Sequence, residues 1–149
     1  MDIVHKNFVK VSYQGIVNIR GPAGAMPVIL LKDAKKRTMA IPLTGLESDL
    51  IQRALSRSNE GPQLYNTLIT CLEKLDVSFI ELRILYSKEF DLPTRLILRS
   101  ASDRDIELVV HCGEGIAYAQ LARVPIYVSE ELISSVGASA GEAGTSNPS

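Results

Sequence analysis

An imidazole, a thiol and a carboxylate stand within four positions of one another at His111, Cys112 and Glu114. They sit in the stretch Val109 to Val128, VVHCGEGIAYAQLARVPIYV, which reads as strand, Gly-rich turn, short helix and second strand. A histidine here could act as a general base or touch a phosphate, a cysteine could act as thiolate, and a carboxylate could hold a hard cation. As a joint transition-metal site the three are poorly arranged, because alternation along the strand aims His111 and Cys112 to opposite faces. The plainer readings are a turn histidine, a buried thiol, and a glutamate that favours the positive N-terminus of the following helix. Gly113 to Gly115 at a helix start could also present backbone N–H groups to an anion. That signal is thin, since the stretch has neither G-x-G-x-x-G nor G-K-[ST], and Glu114 would repel an anion at close range.

A second carboxylate, Glu47, stands three residues after Thr44 in a T-x-x-E capping box. The box needs no partner elsewhere, so Glu47 reads first as a helix cap and second as a metal ligand. The helix it opens should run from about Gly45 to Arg57, with Leu46, Leu50, Ile51, Ala54 and Leu55 on one face. Leu64, Leu68, Cys71, Leu72 and Leu75 give a second amphipathic helix opened by Pro62, with Cys71 on its apolar side. Lys32, Lys35, Lys36 and Arg37 form one basic cluster at a hairpin tip. With no aromatic residues interleaved for base stacking, it reads as a solvated turn before a phosphate grip.

The elements that must position these groups follow from period and punctuation. Val9 to Ile19 alternates as a half-buried strand with Gly15 as a kink or bulge, and GPAGA marks a loop. Val28 to Leu31 and Thr38 to Leu43 form a hairpin of two strands expected to be central rather than edge. Val77 to Tyr86, Thr94 to Arg99 and Asp105 to His111 read as an antiparallel meander. A helix over Gly115 to Arg123 follows, with Tyr118 read first as a half-buried core tyrosine and second as part of a pocket beside the turn, then the brief strand Ile126 to Val128. Ser129 should cap a last helix, with Glu130 and Glu131 in its first turn. Segregated runs of this kind predict an α+β fold, a mixed, largely antiparallel sheet of about six or seven strands with helices packed against it. Residues 1–136 form the expected single domain. The small and polar residues of 137–149 cannot bury enough apolar area to order themselves, so a disordered tail is expected there.

Composition narrows the function. Sixteen Lys and Arg against seventeen Asp and Glu leave a net charge of −1, so any nucleic-acid contact must be local. No run approaches the roughly 20 apolar residues of a membrane helix, and the N-terminus lacks the features of a secretory signal. Two cysteines imply no disulfide framework, and a cytoplasmic protein is the expectation. The apolar faces of Val28 to Leu31 and the meander exceed what short helices can cover, which predicts a homo-oligomer, a dimer or trimer.

From about Phe8 to Val136 the order of elements resembles the bifunctional nuclease domain family. The resemblance rests on Ile41, Glu47, Pro62, Ala117, Ala119 and the Pro-Ile-Tyr-Val at 125 to 128. It implies hydrolysis of DNA or RNA phosphodiesters with Mg²⁺ or Mn²⁺, Glu47 and Glu114 as metal ligands, and His111 as base or phosphate contact. Where the family has an Asp-x-Arg-Pro-Ser-Asp-Ala stretch, this chain has Val109 to Gly115, and only the second acidic position survives, as Glu114. Where the family has Thr-His-Asp-Leu, this chain has Leu64, Tyr65, Asn66 and Thr67. Two functions of different class follow: a divergent metal-dependent nuclease, or a non-catalytic homo-oligomer that binds a small ligand or a partner protein.

Overall fold

The computed structural model describes residues 7–56, 64–89 and 91–136. Seven strands form one mixed sheet in the order β3-β2-β1-β7-β4-β5-β6. The strands are β1 (Phe8–Gly21), β2 (Gly24–Asp33), β3 (Thr38–Pro42), β4 (Ser78–Ile84), β5 (Thr94–Arg99), β6 (Asp105–Val110) and β7 (Ile126–Ser129). The helices are α1 (Gly45–Leu55), α2 (Leu64–Lys74), α3 (Cys112–Ala122) and a final α4 over 130–136. The fold is α+β, as its segregated runs of strands and helices require.

Every neighbouring pair is antiparallel except β4 with β7. The last strand enters the middle of the sheet and joins the N-terminal meander to the central one. It pairs with β1 from Phe8↔Ser129 to Val11↔Ile126, and with β4 from Leu82↔Ile126 to Ile84↔Val128. A parallel neighbour requires a crossover, and α3 is that crossover element. It lies on β4 and β5 and carries the chain from the end of β6 to the start of β7.

Alternation then sets the core. Val11, Ile29, Leu31, Met39, Ile41, Leu82, Ile84, Leu96, Leu98, Ile126 and Val128 are buried with Ile51, Ile69 and the α3 residues Ile116, Ala117 and Ala119. Each fully buried Leu or Ile contributes roughly 1.5–3 kcal/mol.

Several expectations are corrected. β3 is an edge strand, not a central one; its inward Met39 and Ile41 are buried all the same. GPAGA is not a loop of its own, because Gly21 pairs with Gly24 and only Pro22 and Ala23 turn the chain between two long strands. The bulge expected at Gly15 is present as a register shift between Tyr13 and Gly15, where φ is +115°. Leu46 and Leu75 are exposed rather than core, at 70% and 64%, and Cys71 is exposed instead of facing inward. Val28, Ile29 and Leu31 are buried within one chain. Arg57, Pro62 and the tail lie outside the described residues.

The basic cluster has a structural use that its composition did not reveal. Arg37 donates to Asp33 through Nε at 2.8 Å and makes a two-pronged contact with Glu130 through Nη1 and Nη2 at 2.7 and 2.9 Å. Its own backbone N–H also donates to Asp33 at 2.8 Å. The guanidinium therefore ties the β2–β3 turn to the first turn of α4. The hydrogen bonds from Arg37 and from Ser134 hold the Glu130 carboxyl down at about 2, against an ordinary 4.5. Burial pushes the Asp33 carboxyl up, but the hydrogen bonds and charge of Arg37 together outweigh it, and the net shift is downward.

A carboxyl held below its ordinary value stabilises the fold above that value and stops doing so as pH falls through the folded one. Arg37→Gln should therefore lose on the order of 2 kcal/mol at pH 7, mainly by leaving buried Asp33 short of a charged partner. Urea melts should show the gap between wild type and variant narrowing as pH falls from 4.5 towards 2. A gap that stays constant over that range would refute the clamp.

Candidate active site

Two glycines bring the candidate residues together. α3 starts at Cys112, so the expected Gly-rich turn is the first turn of a helix and not a loop. A Cβ at Gly115 would lie 2.7 Å from Leu82 Cδ1, 2.9 Å from Val110 Cγ2 and 3.3 Å from Thr94 Cγ2. At Gly113 it would lie 2.7 Å from Leu43 Cδ2 and 3.5 Å from Glu47 Oε2. One helical turn thus presses on β4, β5 and β6 with one side and on the β3–α1 junction with the other. The anion cradle is corrected by the same packing: both glycines are buried, and the Gly115 N–H is used on the His111 carbonyl at 2.8 Å.

Glu47 completes the capping box that its sequence position suggests. Thr44 caps α1: the Glu47 N–H donates to Thr44 Oγ1 at 3.0 Å, and the Thr44 N–H donates to Glu47 Oε1 at 3.0 Å. With Oε1 held by the cap, Oε2 faces the first turn of α3. Glu114 projects from that turn, where the helix dipole favours its charge. The Tyr118 hydroxyl, one turn further along α3, donates to Glu114 Oε2 at 3.2 Å.

Tyr65 on α2 closes this group. Its ring meets that of Tyr118 edge to face, with centroids 5.2 Å apart, a favoured aromatic geometry. Burial raises its hydroxyl pKa, and the negative charges of Glu114 and Glu47 both raise it further. The Tyr118 hydroxyl is also pushed up, by burial first and then by the charge and hydrogen bond of Glu114. One carboxylate, Glu114, thus hydrogen-bonds a tyrosine of an edge-to-face pair, and the charges of Glu114 and Glu47 both act on the other. Sequence reasoning placed Tyr65 only as a departure from a family motif, and Tyr118 first as a core residue and second as part of a pocket beside the turn. The signal available was their helical placement, but α2 and α3 had to be docked before the rings could be seen to meet.

On the other side of Glu114 lies an open cleft of about 360 Å³, lined by Asp91, Thr94, Arg95, Val109, His111 and Cys112 among others. His111 is the N-cap residue of α3 and makes no side-chain capping bond; its imidazole is exposed on the cleft wall. Arg95, on β5, is the cation that the sequence reading missed. It stands 3.5 Å from Glu107 and half-faces solvent. Glu114 thus borders both the carboxylate–tyrosine group and the cleft with His111.

Cys112 belongs to neither chemistry. Burial pushes its thiol up to about 12, against a smaller lowering by Thr94, and the charge of Glu47 raises it too. Such a thiol is protonated at neutral pH and is neither nucleophile nor soft ligand. His111 faces outward and Cys112 inward, so the joint site with Glu114 does not form. Among the described residues no three His, Cys, Asp or Glu side chains group as metal ligands. The pair Glu47 and Glu114 suits a hard cation that keeps several waters and takes its remaining ligands from substrate; it does not suit a closed N/S site. The basic hairpin tip is not part of this arrangement. Arg37 is committed to Asp33 and Glu130, and β3 separates the tip from Thr44 by roughly 16 Å of strand rise.

Gly115→Ala should lose roughly 1–3 kcal/mol from overpacking against Leu82 and Val110. Gly45→Ala, where a Cβ meets nothing within 4 Å, should be neutral or slightly stabilising. Equal denaturation midpoints for the two variants would contradict the close approach. With the chromogenic disulfide DTNB at pH 8, Cys71 should react in the native protein and Cys112 about a hundredfold or more slowly, becoming reactive on unfolding. Two equally fast thiols would overturn the buried placement of Cys112.

No protein-family model and no curated protein matches this chain. The chemistry of the site is the ground on which its function is judged.

Proposed function

We propose that the protein is a divergent member of the bifunctional nuclease type, hydrolysing nucleic-acid phosphodiesters with Mg²⁺ or Mn²⁺. The observation that supports this reading is that Glu47 Oε2 faces the first turn of α3, the turn from which Glu114 projects under the hydrogen bond of Tyr118. Glu47 Oε2 and Glu114 would hold the ion, which when bound neutralises charge developing on the phosphoryl oxygens. Arg95 and His111 face the adjoining cleft, where they suit the contact with a backbone phosphate. His111 would accept a proton from the attacking water, whose oxygen forms the new P–O bond as the P–O bond to the sugar breaks, the sugar oxygen taking a proton from solvent to leave as a hydroxyl. Tyr118 keeps one oxygen of Glu114 in place. Tyr65 offers a partly exposed aromatic ring on which a base can stack.

The alternative, a non-catalytic binding protein, draws on one feature of the same site. Glu47 Oε1 and Glu114 Oε2 already accept hydrogen bonds from the protein, which leaves fewer oxygens for a metal than a four-carboxylate site would have. In that case the cleft beside Glu114 is a ligand pocket.

Highly purified protein incubated with fluorescent single-stranded DNA, double-stranded DNA and RNA, with Mg²⁺, Mn²⁺ or chelator, decides between them. Cleavage should need metal and fall about a hundredfold or more in Glu114→Gln and in Glu47→Gln, as expected for loss of transition-state charge stabilisation. Glutamine at 47 can retain the capping box, so that variant should keep its melting temperature. Metal-dependent cleavage that survives both substitutions would move the chemistry elsewhere. Complete inactivity under every condition would favour the binding protein.

A further inference from the structure

The cleft beside Glu114 is lined by Leu92 and Pro93, from the connection between β4 and β5, and by His111 and Cys112, from the start of α3. Leu92 stands at φ +51°, in the left-handed region, and among the described residues it is the only apolar side chain there. That region brings Cβ close to the following carbonyl oxygen and is unfavourable for all but glycine and, to a lesser degree, asparagine and aspartate. Pro93 would by itself push the residue before it towards extended backbone. A residue in so sparse a region persists only where its surroundings hold it.

The hold comes from Thr94. Its hydroxyl donates to the Leu92 carbonyl at 2.8 Å, and the Pro93 carbonyl between them accepts from the Leu85 N–H at 2.8 Å. Thr94 is itself fixed, at 1% exposed. Its Cγ2 lies 3.3 Å from the position of a Cβ at Gly115, and its hydroxyl neighbours the Cys112 thiol. Its carbonyl accepts from Arg95 Nη1 at 3.3 Å. One buried residue thus touches the loop side of the cleft, the helix side and the cation on its lining.

We infer that Thr94 is the positioning residue of this cleft: through its hydroxyl it keeps Leu92 left-handed and the Leu92-Pro93 wall in place, and with that wall the opening through which a substrate phosphate reaches Arg95. The identity of the entering group rests on the nuclease reading, whereas the hold on the wall does not. Thr94 touches no reacting atom, so its loss acts on substrate binding and leaves the chemical step alone.

Thr94→Val keeps the side chain's shape and removes the hydroxyl, and Thr94→Ser keeps the hydroxyl. By hydrogen exchange followed by NMR, the Leu85 amide should exchange about tenfold faster in Thr94→Val, as expected for one lost hydrogen bond. The amides of Leu96 to Leu98 should not change, and Thr94→Ser should exchange like wild type. In metal-dependent cleavage of fluorescent single-stranded DNA, KM should rise about tenfold in Thr94→Val with kcat unaltered, and Thr94→Ser should restore it. An unchanged Leu85 amide, one that speeds in step with Leu96 to Leu98, or a fall in kcat at constant KM would each overturn the inference. A wild type that cleaves nothing would sink the nuclease reading alone, because the exchange comparison still decides the role of Thr94. Should Thr94→Val fail to fold, threonine and valine at this position are compared in a Leu92→Gly background. Glycine adopts the left-handed conformation without a steric penalty, so there the Leu85 amide should exchange at the same rate with either side chain. A difference that persists would overturn the inference.

Discussion

The close approach of one helical turn to two parts of the sheet is the constraint on which this structure depends. Gly113 and Gly115 lack the Cβ atoms that would meet Leu43 on one side and Leu82 and Val110 on the other at 2.7 to 2.9 Å. Because they are absent, α3 sits low enough to touch β4 and β5 and still pack against α1 and α2. Its far end then delivers the chain to β7, the strand that joins the two halves of the sheet. The same turn carries Glu114 and faces Glu47 Oε2. Fold and site are thus two results of one packing decision, and glycine in a helix, normally unfavourable by about 1 kcal/mol, is here the residue that the geometry demands.

Local signals in the sequence reached the elements and stopped short of their arrangement. The capping box at Thr44 and Glu47 was legible because both partners lie within one turn, and the structure has it in full. The central meander was legible from alternation bounded by polar turns. Three other features were not. The insertion of Ile126 to Ser129 between β1 and β4 depends on pairings far apart in the chain, which no local period encodes. The edge position of β3 was hidden because Met39 and Ile41 are buried as deeply as in a central strand; apolar content reports burial, not hydrogen-bonded neighbours. Leu46 and Leu75 looked like core by helical spacing, but each lies at the end of its helix, where the apolar stripe runs past its packing partner.

The site was half legible for the same reason. His111, Cys112 and Glu114 drew attention by proximity in sequence, yet proximity along the chain is a poor guide to a shared face. The backbone turns between them, so that the thiol goes to the interior beside Thr94 while the imidazole goes to solvent. Glu47, which faces the same turn of α3, was legible first as a cap and second as a metal ligand. One of its carboxylate oxygens is fixed by the Thr44 N–H, and the other faces α3. A side chain held by its own helix has little conformational entropy left to lose when it meets a partner.

That economy bears on how a reduced carboxylate set can still work. Hard-cation sites with many acidic ligands tolerate loose side chains, because charge is abundant; a site with two must have them well oriented, with substrate phosphate and water filling the remaining positions. Both carboxylates here are oriented by protein hydrogen bonds, Glu47 by the backbone at Thr44 and Glu114 by Tyr118. Each bond that orients an oxygen also occupies one of its lone pairs, and a carboxylate oxygen has two. Preorganisation and coordination therefore do not compete one for one. The tyrosines add a low-polarity wall on the α2 side, where the pull of the two negative charges on a cation is screened less than in open water. Two carboxylates held in this way have less rotational freedom to lose on meeting a partner than freely rotating surface glutamates.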